Sequence, residues 1–293
     1  MRPRLLVVVA AACFATTGTA QELGPDEASP LAVAVMRTVI GALVLVLLAR
    51  STRTPPPLGS ASRTHWLLAG AGMAAYGATF FAAVRLTGVA IGTVVALGSA
   101  PLFAGAMSAV LWRQAPSRRW LVTTAAAAAG VALIVTQGKS DAVDTLGVAL
   151  AALAGWSYAV FALSSKMLLN AQPSGVRVMA HVFVWAAIML APALWFVDVS
   201  WVLTARGATM AVWLGVVTLA LAYWAYANGL RHLKPSDTTA LTLVEPVVAT
   251  LLAATILGER PSTVAWAGMV LVVTSLTIGA RGDTTQSIDA VQH

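Results

Sequence analysis

Residues 30–49 read PLAVAVMRTVIGALVLVLLA, twenty residues with one charged side chain, Arg37. A helix of that length rises about 30 Å and crosses the hydrocarbon core of a bilayer. A soluble helix shows an apolar stripe and a polar face; this one is apolar almost all round. The rest of the chain reads the same way. Of its 293 residues 59% are hydrophobic and 10% charged, and the mean hydropathy is +0.82. A water-facing globule carries about 25% charged residues, so this chain lacks the charge to coat one, and the same numbers exclude disorder. One cysteine, Cys13, excludes an intrachain disulfide scaffold. The fold class is an all-α polytopic membrane protein, with the lipid bilayer as its solvent.

Ten stretches are long and apolar enough to span: 4–21, 30–49, 65–84, 90–112, 119–137, 147–166, 176–197, 209–230, 237–257 and 263–280. Thr54-Pro55-Pro56-Pro57 and Ala115-Pro116-Ser117 break them, because proline has no donor and clashes with the preceding turn. The basic start, apolar run and small-residue end of residues 1–20 share features with a signal peptide. The repeat described below gives this segment a partner, so it is read as a retained first span. The fifth span carries Ala125 to Ala129, small enough either to pack closely on a neighbour or to face lipid.

Charge sets the topology. With the N-terminus in the cytoplasm, thirteen Lys and Arg fall in inner segments and four in outer ones, with Arg37 inside a span. That is the positive-inside bias of a cytoplasmic-membrane protein with both termini in the cytoplasm. It also explains the net charge of +7 without nucleic acid, since no basic stripe is interleaved with aromatics. The polar chain after Gly282 is expected to be disordered.

The two halves resemble each other. An offset of 145 aligns Pro101 with Pro246, Thr93 with Thr238, Ala104 with Ala249 and Pro116 with Pro261. Five spans per half is an odd number, so the second copy sits upside-down relative to the first. Inverted repeats are a recurring plan of secondary transporters, with a substrate site near the midplane.

Gly88 to Pro101, Leu243-Val244-Glu245-Pro246 and Leu257-Gly258-Glu259-Arg260-Pro261 resemble the EamA family of the drug/metabolite transporter superfamily, as do Pro30 with Arg37, and Trp156. The resemblance implies ten transmembrane helices as two inverted five-helix EamA repeats, 1–138 and 147–280, followed by a cytoplasmic polar tail at 281–293. It implies export or facilitated movement of small metabolites, with amino acids or comparable solutes as substrate and drug or toxic-compound efflux as the alternative. It also implies a cavity lined by the first, third, fourth, sixth, eighth and ninth spans, with the fifth and tenth peripheral. Trp112-Arg113-Gln114 departs from Leu257-Gly258-Glu259, and Phe14 stands where Trp156 leads one to expect a tryptophan.

Ionisable residues inside a membrane are costly and point to function. Glu245 is the only acid well inside a span, eight residues and about 12 Å beyond Asp237. It is either a carboxyl that binds and releases a proton during a cycle or a structural group hydrogen-bonded near Pro246. Arg37 lies about 10 Å in from Pro30. It neutralises Glu245, binds an anionic substrate group, or snorkels to the interface. His181 is a packing histidine or a proton relay. Tyr76 with Phe80, Trp156 with Tyr158, and Tyr223 with Tyr226 are candidates to line a mixed apolar and polar cavity, or else ordinary packing. Pro101 and Pro246 are candidate helix breaks. No P-loop and no HExxH occurs, so neither a nucleotide-driven pump nor a zinc enzyme is indicated. No cofactor or metal is implied, and a membrane-embedded enzyme without recognisable motif is the competing class.

Overall fold

The structure is a computed structural model and describes residues 2–51, 63–113, 116–136, 144–258 and 260–289. The proline run 55–57, Gln114, Lys139, Asp141 and Glu259 lie outside the described residues. Among the described residues every element is helical. Among the described residues nine helices reach spanning length and hydropathy: α1 (Pro3–Glu22), α2 (Pro30–Ser51), α3 (Arg63–Ala83), α4 (Ile91–Trp112), α5 (Arg118–Thr136), α6 (Thr145–Ala171), α7 (Gly175–Trp195), α8 (Ala205–Leu230) and α9 (Pro235–Ile256). The last, α10 (Thr263–Asp289), is apolar over Thr263–Gly279. Its backbone stays helical to Asp289 where disorder is expected after Gly282; no proline follows Pro261 to stop it.

Local chemistry sets the helix ends. Pro3 opens α1 and Pro235 opens α9 at the first helical turn, where a missing N–H costs nothing. Asp144 caps α6 by accepting from Gly147 N at 2.7 Å, and Thr204 caps α8 by accepting from Gly207 N at 3.1 Å. Each such cap contributes about 1 kcal/mol. At the far ends of α4 and α9 the chain turns through Arg113 (φ 54°) and Gly258 (φ 72°), both left-handed. The 145-residue offset maps one onto the other, so the repeat keeps its backbone where its residues differ.

Helical backbone continues from Arg63 to Trp112, yet this stretch is not one rod. A Cβ on Gly72 would stand 2.8 Å from Ser157 O, and one on Gly155 2.7 Å from Ala96 O. Gly72 and Ala96 would be about 36 Å apart on a straight helix, while residues 155 and 157 are separated by only about 3 Å of helix rise. The chain therefore doubles back between α3 and α4, as two separate spans require.

Packing obeys an exchange of halves. Under that exchange α1 corresponds to α6, α2 to α7, and so on to α5 and α10. α2 packs on α7 and α5 on α10, two of the five pairs that map onto themselves. α1 packs on α8 and α9; correspondingly, α6 packs on the α3–α4 hairpin. Of the alanines of α5, Ala127 is buried while Ala125 and Ala129 are exposed, so the run both packs and faces outward. The close crossing with α10 is at Gly130, where a Cβ would lie 2.8 Å from Gly268 O, and one on Gly268 2.6 Å from Gly130 O.

Candidate substrate cavity

Two breaks in the helices shape the centre. In α9 the backbone tightens to a 3₁₀ turn at Thr242–Val244 and resumes as α-helix at Glu245. Pro246 has no N–H to donate to Thr242 O, and in α4 Pro101 likewise leaves Leu97 O without its usual donor. Leu97 and Thr242 both line the central cavity. In α8 the backbone widens to a π turn over Val216–Leu221, a feature that concentrates at functional sites.

The cavity holds about 500 Å³. Its mouth lies at the end of the bundle that carries the α1–α2 loop, lined by Gln21, Glu22, Leu257 and Pro261, and its deep end is lined by Phe14, Met73, Tyr158 and Tyr223. Below that end a fully buried aromatic plug closes the path. Phe183 meets Tyr223 at 4.5 Å between ring centroids, and Phe161 meets Tyr226 at 6.0 Å. Further toward the terminal face, Lys166 Nζ donates to Leu230 O and Arg231 O at 2.9 and 2.6 Å. Arg231 in turn donates to Pro173 O and Gln172 O at 2.8 and 3.0 Å. These bonds latch the α6–α7 turn to the end of α8.

Arg37 and Glu245 both line the cavity. Arg37 Nη2 donates to Thr218 O at 2.8 Å, while its buried Nε has no acceptor. Among the described residues the two groups form no ion pair. A buried cationic donor left without a partner is costly. The cavity therefore holds an arginine with one unsatisfied donor and a separate carboxyl group.

The aromatic candidates divide by helical phase. Tyr76 and Phe80, four apart, stack at 5.7 Å and both line the cavity. Tyr158 and Tyr223 line it too. Tyr226, one turn beyond Tyr223, belongs to the plug; its hydroxyl lies beside that of Tyr158 without a hydrogen bond of standard geometry. Trp156 lies outside the cavity and is 45% exposed, because residues two apart on a helix point away from each other. His181 is also outside it, exposed, with its ring 5.3 Å from that of Trp66 and Nδ1 2.9 Å from Arg177 O. Pro246 lines the cavity; Pro101 is buried behind it.

Sequence reasoning missed the Thr218 carbonyl, the aromatic plug and the Lys166–Arg231 latch, which depend on chain segments far apart in sequence. Of the walls it anticipates, α1, α3, α4, α6, α8 and α9 all contribute; α2 adds Val33, Ala34, Arg37 and Thr38, α7 adds Leu190, and α5 supplies Ile134 and Val135 near the mouth.

Two inverted five-helix halves around a cavity open at one end define a membrane transporter of small solutes. The chain belongs to the EamA-like transporter family, which matches residues 1–136 and again 145–279. Its relatives include the uncharacterized transporter YwfM of Bacillus subtilis (strain 168), 35% identical over 292 residues, covering 99% of this chain and 97% of that one. The uncharacterized transporter sll1164 of Synechocystis sp. is 27% identical over 207 residues, 66% of this chain and 58% of that one. A solved crystal structure superposes with a TM-score of 0.80 at 19% identity, covering 95% of this chain and 98% of that one, and shares the fold.

Proposed function

We propose that this protein moves small zwitterionic metabolites, amino acids foremost, across the cytoplasmic membrane by alternating access, in the direction of export or facilitated release. The carrying observation is that Arg37 on α2 and Glu245 on α9 line the same cavity and, among the described residues, form no ion pair with each other. A neutral solute bearing both charges satisfies both groups at once, the carboxylate on the arginine fork and the ammonium on the carboxylate. A purely cationic drug would leave Arg37 unanswered. The aromatic lining from Phe14, Tyr76, Phe80 and Tyr223 suits an apolar side chain.

With both termini in the cytoplasm, as the charge bias favours, the cavity opens outward and the plug and latch close the cytoplasmic side. Switching then needs the plug to part while α1 and α9 close over the mouth. The π turn in α8 and the 3₁₀ turn in α9 are the places where the helices bend at least cost. Glu245, free of an ion pair, is the group that carries a proton if transport is coupled to one.

The test is counterflow in proteoliposomes loaded with a mixed amino-acid pool. Accumulation of a zwitterionic solute, with none for the corresponding amine or carboxylate alone, is the expected result. Glu245→Gln should hold the zwitterion more weakly and, if transport is proton-coupled, lose its dependence on a pH gradient. Equal transport of amine, acid and zwitterion would overturn the reading. A cytoplasm-only reporter active after Arg281 and silent at Asp141 checks the orientation independently.

A further inference from the structure

A second hollow of about 530 Å³ lies beside the central cavity, in a groove between α1, the first half of α8 and the last turns of α9. Leu23, Met210, Trp213, Leu252 and Ile256 line it, and Thr19 lines both hollows. Most of its polar side chains are engaged within the protein. Trp213 Nε1 donates to Thr16 Oγ1 at 3.0 Å, Thr16 Oγ1 to Cys13 O at 2.8 Å, and Thr209 Oγ1 to Ala205 O at 2.8 Å. What faces outward is apolar surface and one cation. Arg206 is fixed by donating from Nε and Nη2 to Leu23 O at 3.2 and 3.1 Å, which leaves Nη1 without an acceptor among the described residues. Among the described residues no acid lines the groove.

We propose that this groove seats an acyl chain of an anionic phospholipid, with the lipid phosphate on Arg206. Three features choose the occupant. The helices that form the groove span a bilayer, so lipid is the neighbour at highest concentration. The lining offers a polar ligand almost nothing to bond, which makes its desolvation unfavourable. The one free donor sits at the loop end of α8, seven residues and about 10 Å above Trp213, the level of a headgroup, and a guanidinium pairs well with phosphate. The corresponding seam between α6 and α4 is filled by Ala104, Ala159 and Leu163, with Phe103, Met107 and Trp112 packed against them. The groove is therefore specific to the end of the molecule at which the central cavity is open, and a seated chain holds the α1–α9 seam in that arrangement. The proposal requires only that the chain spans a bilayer and is independent of which solute is carried.

The full-length protein is reconstituted in vesicles mixing phosphatidylcholine and phosphatidylglycerol, with one lipid at a time brominated on its acyl chains. Trp213 emission is read as the difference between wild type and Trp213→Phe. Brominated phosphatidylglycerol should quench this signal several-fold more than brominated phosphatidylcholine at equal fraction. Arg206→Gln should abolish the difference and Arg206→Lys should keep most of it. Equal quenching by the two lipids, quenching by neither, or a preference that survives Arg206→Gln would overturn the proposal.

Discussion

Arg37 Nη2 reaches the carbonyl of Thr218 at 2.8 Å, joining α2 of one half to α8 of the other across 181 positions of sequence. Thr218 lies in the π turn of α8, where a widened ladder leaves carbonyls in need of outside donors. One nitrogen of the guanidinium thus anchors the side chain to the opposite half, and the rest of the fork is held at the cavity. On the proposed function, this bond pre-positions a cation for the anionic group of the substrate.

Replacing Arg37 separates anchoring from charge. Arg37→Lys keeps the charge but loses the fork, and Arg37→Ala loses both. A charge-assisted hydrogen bond contributes about 1.5–3 kcal/mol, so Arg37→Ala should raise the half-saturating concentration in proteoliposome counterflow roughly tenfold to a hundredfold. Arg37→Lys should fall between Arg37→Ala and wild type. An unchanged value for Arg37→Ala would remove the arginine from substrate binding.

Cysteine labelling distinguishes cavity from exterior. In a Cys13→Ala background, Tyr76→Cys should react with a small water-soluble thiol reagent, and Trp156→Cys should not, because Tyr76 lines the cavity and Trp156 does not. Reaction at Trp156→Cys with protection at Tyr76→Cys would contradict the placement of both side chains relative to the cavity.

The glycine crossing of α5 and α10 is a packing requirement. Gly130→Val places a Cβ about 2.8 Å from Gly268 O, so the helices must part. Overpacking of this kind costs about 1–3 kcal/mol, and the variant should show a lower midpoint in thermal unfolding in detergent. Gly18→Ala, where a Cβ meets open space, serves as the control and should leave the midpoint nearly unchanged.

The two left-handed turns predict opposite effects for exchanged residues. A left-handed conformation costs a residue with a side chain about 1–2 kcal/mol relative to glycine. Arg113→Gly should therefore stabilise the protein, and Gly258→Ala should destabilise it, by about 1 kcal/mol each as read from unfolding midpoints. Destabilisation by Arg113→Gly would mean that the Arg113 side chain makes a contribution larger than the backbone strain.

The sequence by itself determined the solvent, the spans and the repeat. Twenty-residue apolar runs leave backbone groups no partners except within a helix, so residues 30–49 and their counterparts had one available structure. The prolines at 101 and 246, held at one offset, marked where two helices are interrupted, because a missing N–H acts locally. Arg37 and Glu245 stood out because a charge inside a bilayer is expensive whatever surrounds it. Tertiary structure alone decided which of the marked side chains meet. Trp156 and Tyr158 are neighbours in sequence but point to opposite sides of α6. Arg37 found Thr218 rather than Glu245 as its hydrogen-bond partner, since that choice depends on a π turn in a helix of the other half. The plug of Phe161, Phe183, Tyr223 and Tyr226 and the latch of Lys166 and Arg231 depend on how helices cross. Crossing is set by where glycines such as Gly72, Gly130 and Gly155 let backbones approach, and composition does not reveal which neighbour each glycine will face.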